Sequence, residues 1–130
     1  MSPFVKASIA FGMAACALFA SAPRPADAAG ASGRWSISGA SSTGTVTPVC
    51  VITQAGSRVS GTCRGPNAVG PMAGTISGAT ISFQWRTTAT TRVGYTGVVS
   101  FRGVMERDGV VRGTFGAPGW LNGTFSMRRS

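Results

Sequence analysis

Residues 50 to 63 read CVITQAGSRVSGTC and contain two of the three cysteines of the chain. Gly56 and Ser57 suit a two-residue hairpin turn, because such turns favour glycine at the first central position. Counting outward along both strands from this turn places Cys50 directly opposite Cys63. The alternation of the ladder makes theirs a non-hydrogen-bonded pair, whose α-carbons lie about 4.5–5.5 Å apart, within disulfide range.

A cysteine pair of this kind is a metal site, a redox pair, a nucleophile with its partner, or a structural disulfide. A metal site needs further ligands, and the chain has no histidine. A redox pair needs exposure and a thiol of lowered pKa, whereas this hairpin register puts both sulfurs on the apolar face with Ile52, Val59 and Gly61. The pattern therefore predicts a disulfide, which would constrain the unfolded chain by about 3 kcal/mol.

The chain begins with the features of a secretory signal peptide, predicted over residues 1–28. Lys6 supplies a positive start, and the apolar run ASIAFGMAACALFA follows it. That run is too short to span a membrane, and no transmembrane span is predicted in the mature chain. Cleavage is expected after Ala28, with Ala22 as the other candidate. An oxidising compartment beyond the leader would allow the disulfide to form.

The rest of the chain is predicted to be one domain. Residues 29–33, AGASG, are predicted to be a flexible tether. Residues 34–130 are predicted to form a single β-barrel domain with a modest core. The leader predicts a secreted or periplasmic protein, with lipoprotein anchoring through Cys16 as the alternative.

The mature chain is strongly basic and poor in catalytic side chains. The full chain has 12 basic and 3 acidic residues, and the leader takes Lys6, Arg24 and Asp27 from them. This leaves ten arginines and two acids, Glu106 and Asp108, for a net charge of +8. A Ser-His-Asp triad, a Cys-His pair and a lysine Schiff base are therefore excluded. The sequence predicts a protein that is not an enzyme and that uses no cofactor or metal.

Short alternating runs rich in Val, Ile, Phe and Thr, separated by Gly, Pro, Asn and Ser, predict an all-β domain. The candidate strands are residues 34–39, 45–54, 59–64, 71–77, 80–87, 94–106, 110–116 and 120–128.

A short repeat recurs along these strands: an apolar residue, any residue, glycine, usually threonine, and a second apolar residue. Because alternate residues of a strand share a face, each copy puts its glycine on the apolar face. A turn at residues 78–79 pairs Gly74 with Phe83, so an aromatic ring lies across the glycine. The same alternation predicts a three-residue turn ending at Gly109. These glycines are expected to let strongly curved strands close into a barrel.

The registers divide the side chains between the two faces of the sheet. The predicted interior contains Met72, Phe83, Trp85, Phe101, Phe115, Phe125 and Met127. The predicted outward arginines are Arg58, Arg64, Arg86, Arg102 and Arg112. An outward basic surface indicates an anionic partner or a solvated face that keeps the protein soluble, and nucleic acid is disfavoured as that partner.

Tight and long connections alternate along the predicted strands, as they do in an up-and-down meander. The tight turns lie near residues 56–57, 78–79 and 107–109, and they are expected to seal one end. The long loops are residues 40–44, 65–70, 88–93 and 117–119. The sequence therefore predicts an eight-stranded antiparallel up-and-down β-barrel with one cross-strand disulfide and one open end.

The motif Gly33-Arg34-Trp35 opens the first strand. Together with eight meandering strands and an arginine on the last one, it resembles the calycin superfamily, which includes lipocalins, avidins and small bacterial metalloprotease inhibitors. The resemblance implies that Trp35 closes the barrel floor. It also implies that a basic residue of the last strand, Arg128 or Arg129, packs over this tryptophan.

The resemblance implies a secreted or periplasmic, non-enzymatic binding protein. Its ligand would be a small apolar molecule or an anionic envelope component at the open barrel end. The residues expected at that mouth are Trp85, Arg92, Tyr95 and Trp120. The alternative is a secreted interaction or protease-inhibitor protein that meets a protein partner through its loops or basic surface.

Overall fold

The computed structural model describes residues 30–119 and 121–130, and gives no side-chain description of Leu121. The predicted leader and Trp120 lie outside the described residues. Within the described part there is no helix long and apolar enough to cross a membrane. The strands are β1 Gly33–Ser41, β2 Gly44–Val46, β3 Val49–Ala55, β4 Arg58–Arg64, β5 Ala68–Ser77, β6 Thr80–Ala89, β7 Gly97–Met105, β8 Val111–Ala117 and β9 Leu121–Arg129.

These strands form one closed antiparallel barrel. From β3 to β9 each strand pairs with the next one along the chain, and β9 pairs with β1 to close the sheet. β1 also pairs with β3 and with the short β2. The predicted eight-stranded barrel is confirmed, with one extra short strand at its rim.

The extra strand results from a proline. Ser36 pairs with Val49 and Gly39 pairs with Val46, so β2 and β3 share one register against β1. Between them the Ile37 N–H donates to the Pro48 carbonyl oxygen at 2.9 Å. Because Pro48 has no N–H to return that bond, the ladder is interrupted there. The single strand predicted over residues 45–54 is therefore split in two.

The predicted hairpin registers are also confirmed. Cys50 pairs with Cys63 across β3 and β4, their α-carbons lie 4.0 Å apart, and their sulfurs form a disulfide. Gly74 pairs with Phe83 across β5 and β6. Gly109 has a φ of 81°, the left-handed conformation expected in the three-residue turn.

The glycines of the repeat lie where neighbouring strands approach closely. A Cβ atom on Gly74 would lie 2.0 Å from the carbonyl oxygen of Ser82 and 2.5 Å from the α-carbon of Phe83. A Cβ atom on Gly113 would lie 1.9 Å from the carbonyl oxygen of Arg102. No side chain fits at these distances, so glycine allows the tight curvature that a small barrel requires.

Aromatic side chains fill the middle of the barrel. The Phe83 and Phe101 rings stack with centroids 4.9 Å apart, and Phe125 meets the Phe101 ring edge-on at 5.2 Å. The Phe115 ring also stacks on Phe101, with centroids 5.6 Å apart. All seven residues predicted to face inward are buried, namely Met72, Phe83, Trp85, Phe101, Phe115, Phe125 and Met127.

Trp35 lies fully buried at the closed end, with an arginine above it. The Arg129 guanidinium carbon lies 4.5 Å from the indole centroid, a cation–π contact. Assigning this role to Arg128 is therefore wrong. Because Met127 faces inward, strand alternation turns Arg128 outward and brings Arg129 back over the floor.

The described part of the predicted tether is packed onto the same floor. Ala31 is fully buried, its N–H donates to Gln54 Oε1 at 2.7 Å, and its carbonyl oxygen accepts the Trp35 Nε1–H at 2.8 Å. The Ser32 carbonyl oxygen accepts a bond from Arg129 at 2.6 Å. Ala31 and Ser32 thus differ from the flexible tether predicted over residues 29–33, because the chain here supplies hydrogen-bond partners that the floor requires.

The barrel exterior carries the arginines that the registers place there, and Arg58, Arg64, Arg86, Arg102 and Arg112 are all exposed.

Glu106 and Asp108, the two acids of the described chain, both pair with Arg112, and Asp108 lies 3.3 Å from it. The Val110 N–H donates to Asp108 Oδ1 at 3.0 Å. This backbone bond, assisted by Arg112, lowers the pKa of Asp108 below its ordinary value of 3.8.

Candidate ligand pocket at the open end of the barrel

A pocket of about 260 Å³ lies at the barrel end opposite the tight turns. Three segments line it: residues of 41–48, 65–68 and 93–95. These segments belong to three of the four loops that the alternation of connection lengths places at one end. The fourth predicted loop, residues 117–119, contributes no residue to this lining.

Inward-facing side chains of β6 and β7 also line the pocket, namely Trp85, Thr87 and Val99. Trp85 is 4% exposed and Thr87 is 3% exposed. The Thr87 hydroxyl donates to the Tyr95 carbonyl oxygen at 2.6 Å and accepts the Gly97 N–H at 3.1 Å. This buried threonine thereby holds the end of the β6–β7 loop against β6.

Hydrogen bonds fix two of the pocket loops to each other. The Thr90 N–H donates to the Asn67 carbonyl oxygen at 2.8 Å. The Thr91 hydroxyl donates to Asn67 Oδ1 at 2.9 Å. Asn67 therefore connects the β4–β5 loop to the β6–β7 loop by backbone and side chain. A wall held in this way is largely preformed, as ligand sites usually are.

The indole N–H of Trp85 is buried and has no hydrogen-bond partner among the described residues. An unmet buried donor costs about 1–3 kcal/mol, and buried Trp N–H groups usually find a partner. The contrast with Trp35, whose N–H is bonded to Ala31, shows that this fold can satisfy a buried indole. The free donor of Trp85 belongs to a side chain that lines the pocket.

The lining carries no charged side chain among the described residues. It combines one serine and four threonines, small loop residues, the rings of Trp85 and Tyr95, and the apolar groups of Val46, Pro48, Val93 and Val99. A lining of this composition suits an uncharged molecule, because burying an unpaired charge among such groups is costly.

The structure brings together only part of the predicted mouth. Trp85 and Tyr95 line the pocket, whereas Arg92 is exposed and lies outside the lining. Trp120 lies outside the described residues. Sequence reasoning missed Thr87, although its position two residues after Trp85 puts it on the same inward face.

Sequence reasoning also missed Asn67, whose role depends on how two loops meet. Among the described residues, no three His, Cys, Asp or Glu side chains lie close enough to hold a metal ion.

No protein-family model matches the chain, and no curated protein sequence matches it either.

Proposed function

We propose that the protein is a secreted or periplasmic, non-enzymatic binding protein of calycin-like type that holds a small, neutral, largely apolar ligand in the open-end pocket. The observation that carries this proposal is that, among the described residues, the pocket lining is uncharged and the buried indole N–H of Trp85, one of its lining residues, has no partner. A ligand with one hydrogen-bond acceptor and a compact apolar body would satisfy that donor and displace water from the lining.

The size of the pocket limits the ligand. Its volume of about 260 Å³ lies below the 300–1,000 Å³ usual for small-molecule sites. The stacked phenylalanines fill the barrel below, which supports a ligand held at the mouth. The uncharged lining favours a neutral molecule over the anionic envelope component that the sequence left open.

Two features support the calycin-like assignment. The barrel has eight strands that close in antiparallel order. Trp35 lies at its floor beneath Arg129, the arrangement that the family resemblance implies for a tryptophan and a basic residue.

Native mass spectrometry of protein purified from its own host tests the proposal. We expect a non-covalently bound neutral molecule, or uptake of one from a panel of neutral fragments. Cyclohexanone, which has an acceptor, should bind more tightly than methylcyclohexane, which has none. The indole N–H signal of Trp85 should shift on binding, and that of Trp35 should not.

The variant Trp85→Phe keeps an apolar ring and removes the donor. We expect it to lose the preference for cyclohexanone over methylcyclohexane. A protein that carries no neutral molecule and binds no fragment near Trp85 would contradict the proposal.

The alternative is an interaction or inhibitor protein that uses its loops or basic surface. Exposed arginines with no acidic partner among the described residues favour it. Reversing the charge of Arg58, Arg102 and Arg112 together should then abolish partner binding and leave fragment binding unchanged.

A further inference from the structure

We propose that the outer wall of β6 to β9 holds a second site, a groove around Arg102 that binds a carboxylate-bearing polysaccharide. This inference goes beyond the pocket function, because no described residue lines both the pocket and the groove. The groove has a volume of about 650 Å³ and opens on the barrel exterior.

Polar side chains from four adjacent strands line the groove. Ser82 of β6 pairs with Arg102 of β7, and Arg102 pairs with Thr114 of β8. Side chains paired in this way on one face lie about 4.5–5.5 Å apart at Cβ. The Arg102 side chain therefore leaves the sheet between two hydroxyl-bearing residues, an arrangement that suits a carboxylate and its neighbouring sugar hydroxyls.

A missing side chain makes the hollow. In the next row across the sheet, Ser100 pairs with Gly116 and Gly116 pairs with Asn122. All three residues line the groove. Gly116 adds no side chain to the outward face. The surface of the sheet is therefore lowest at Gly116, between the Ser100 hydroxyl and the Asn122 amide. Both neighbours can donate to and accept from sugar hydroxyls.

The charge of this wall is uncompensated. No acidic side chain lines the groove among the residues that the structure describes, and both acids of that part of the chain are paired with Arg112. The row of Arg102 continues through Ser82 and Thr75 to Arg58 of β4. Arg58 and Arg102 are three strands apart, a separation of about 14 Å at the usual strand spacing. Two cations so placed on one polar row suit a polymer with repeated carboxylates.

The composition of the groove favours a polysaccharide over other anionic polymers. Single-stranded nucleic acid binds to exposed aromatic rings on which bases stack. The phenylalanines nearest the groove, Phe101 and Phe115, are 1% and 4% exposed and present their rings to the core. Among the described residues, the groove lining also has no large exposed apolar side chain of the kind that enters a lipid layer.

Titration with alginate oligosaccharides, which carry one carboxylate per sugar, tests the site. We expect Arg102→Gln to weaken binding about tenfold, the loss of one charge-assisted pair. The matched control is Arg34→Gln on β1, which removes an equal charge from an exposed arginine outside the groove. It should weaken binding less than about twofold, since exposed charges far from the site are screened.

Gly116→Thr provides a second test without a change of charge. Its side chain fills the hollow, and we expect it to weaken alginate binding while binding of neutral fragments in the open-end pocket is unchanged. Equal losses for Arg102→Gln and Arg34→Gln would overturn the site in favour of general charge attraction. Tighter binding to a DNA oligonucleotide or to anionic phospholipid vesicles than to alginate would overturn the polysaccharide assignment.

Discussion

Two buried tryptophans in this barrel have opposite hydrogen-bonding states. Trp35 donates to a backbone carbonyl oxygen and lies beneath a guanidinium group. Trp85 is also buried, yet its N–H has no partner among the described residues. A fold that satisfies one indole and leaves the other unmet marks the second as the place where a ligand would add a bond.

Replacing each tryptophan in turn with phenylalanine tests whether its indole N–H makes a hydrogen bond that stabilises the fold. Both changes remove a similar apolar volume, but only Trp35→Phe also removes a hydrogen bond and weakens a cation–π contact. We expect it to lower the free energy of unfolding by about 1–2 kcal/mol more than Trp85→Phe. Urea unfolding of ligand-free protein measures the difference. Equal losses would mean that the Trp85 N–H is satisfied in solution.

Asp108 gives the barrel a response to acid. Its pKa is lowered, chiefly by the backbone bond from Val110 and further by Arg112. A carboxyl group whose folded pKa is depressed adds stability above its unfolded value, here 3.8, and loses it as the pH falls through the folded value. The melting temperature should therefore fall below pH 3.8, and less so in Asp108→Asn. A fall of the same size in both proteins would show that Asp108 contributes nothing to acid sensitivity.

At the scale of strands and hairpins, the glycine repeat has a steric cause. Gly74 lies where the β6 backbone occupies the space of a Cβ atom. At Gly65 an added Cβ atom would lie 3.4 Å from the Trp85 ring edge, 3.7 Å from the Ala68 carbonyl oxygen and 3.8 Å from the Pro48 Cβ atom, all ordinary contacts.

We therefore expect Gly74→Ala to cost about 1–3 kcal/mol or more, the penalty of overpacking. Gly65→Ala should stay within about 0.5 kcal/mol of the parent. Thermal unfolding of the two variants compares them directly. A tolerated alanine at position 74 would mean that the strands separate at little cost.

The disulfide stabilises the β3–β4 hairpin, which spans a sequence separation of 13 residues. Replacing both Cys50 and Cys63 with alanine should lower the free energy of unfolding by about 3 kcal/mol through the unfolded chain. Added reductant should destabilise the parent protein and leave the double variant unaffected. If reductant has no effect on the parent, the bond does not contribute to stability.

Features that depend on interactions within one hairpin were predicted from the sequence, whereas features that depend on contacts between distant segments were not. The registers around Cys50 and Gly74 were predictable, because alternation and turn length act within one hairpin. The sequence shows that Pro48 has no N–H, but it does not show which strand would have accepted that hydrogen bond. The packing of Ala31 onto the floor and the union of two loops at Asn67 depend on residues distant in sequence, so local patterns did not predict them.

At the scale of the whole molecule, closure of the sheet separates the two surfaces for which binding is proposed. The interior is filled by aromatic rings and leaves room only at the mouth. The exterior carries arginines in excess of acids. The two proposals thus place recognition of a neutral ligand at the rim and recognition of an anionic polymer on the wall. The sequence predicted both kinds of surface, whereas the concave shapes of the pocket and groove required the folded sheet.

Both ends of the described barrel lie beside each other at the floor. The Ser130 N–H donates to the Arg34 carbonyl oxygen at 3.0 Å, and Arg129 bonds to Ser32. A barrel immobilised on a sensor chip, or fused to a carrier, through residue 130 would therefore hold its mouth away from the support. The same proximity means that a short peptide could join residue 130 to residue 31. New chain termini could then be introduced in another loop while the hydrogen bonds at the floor are kept.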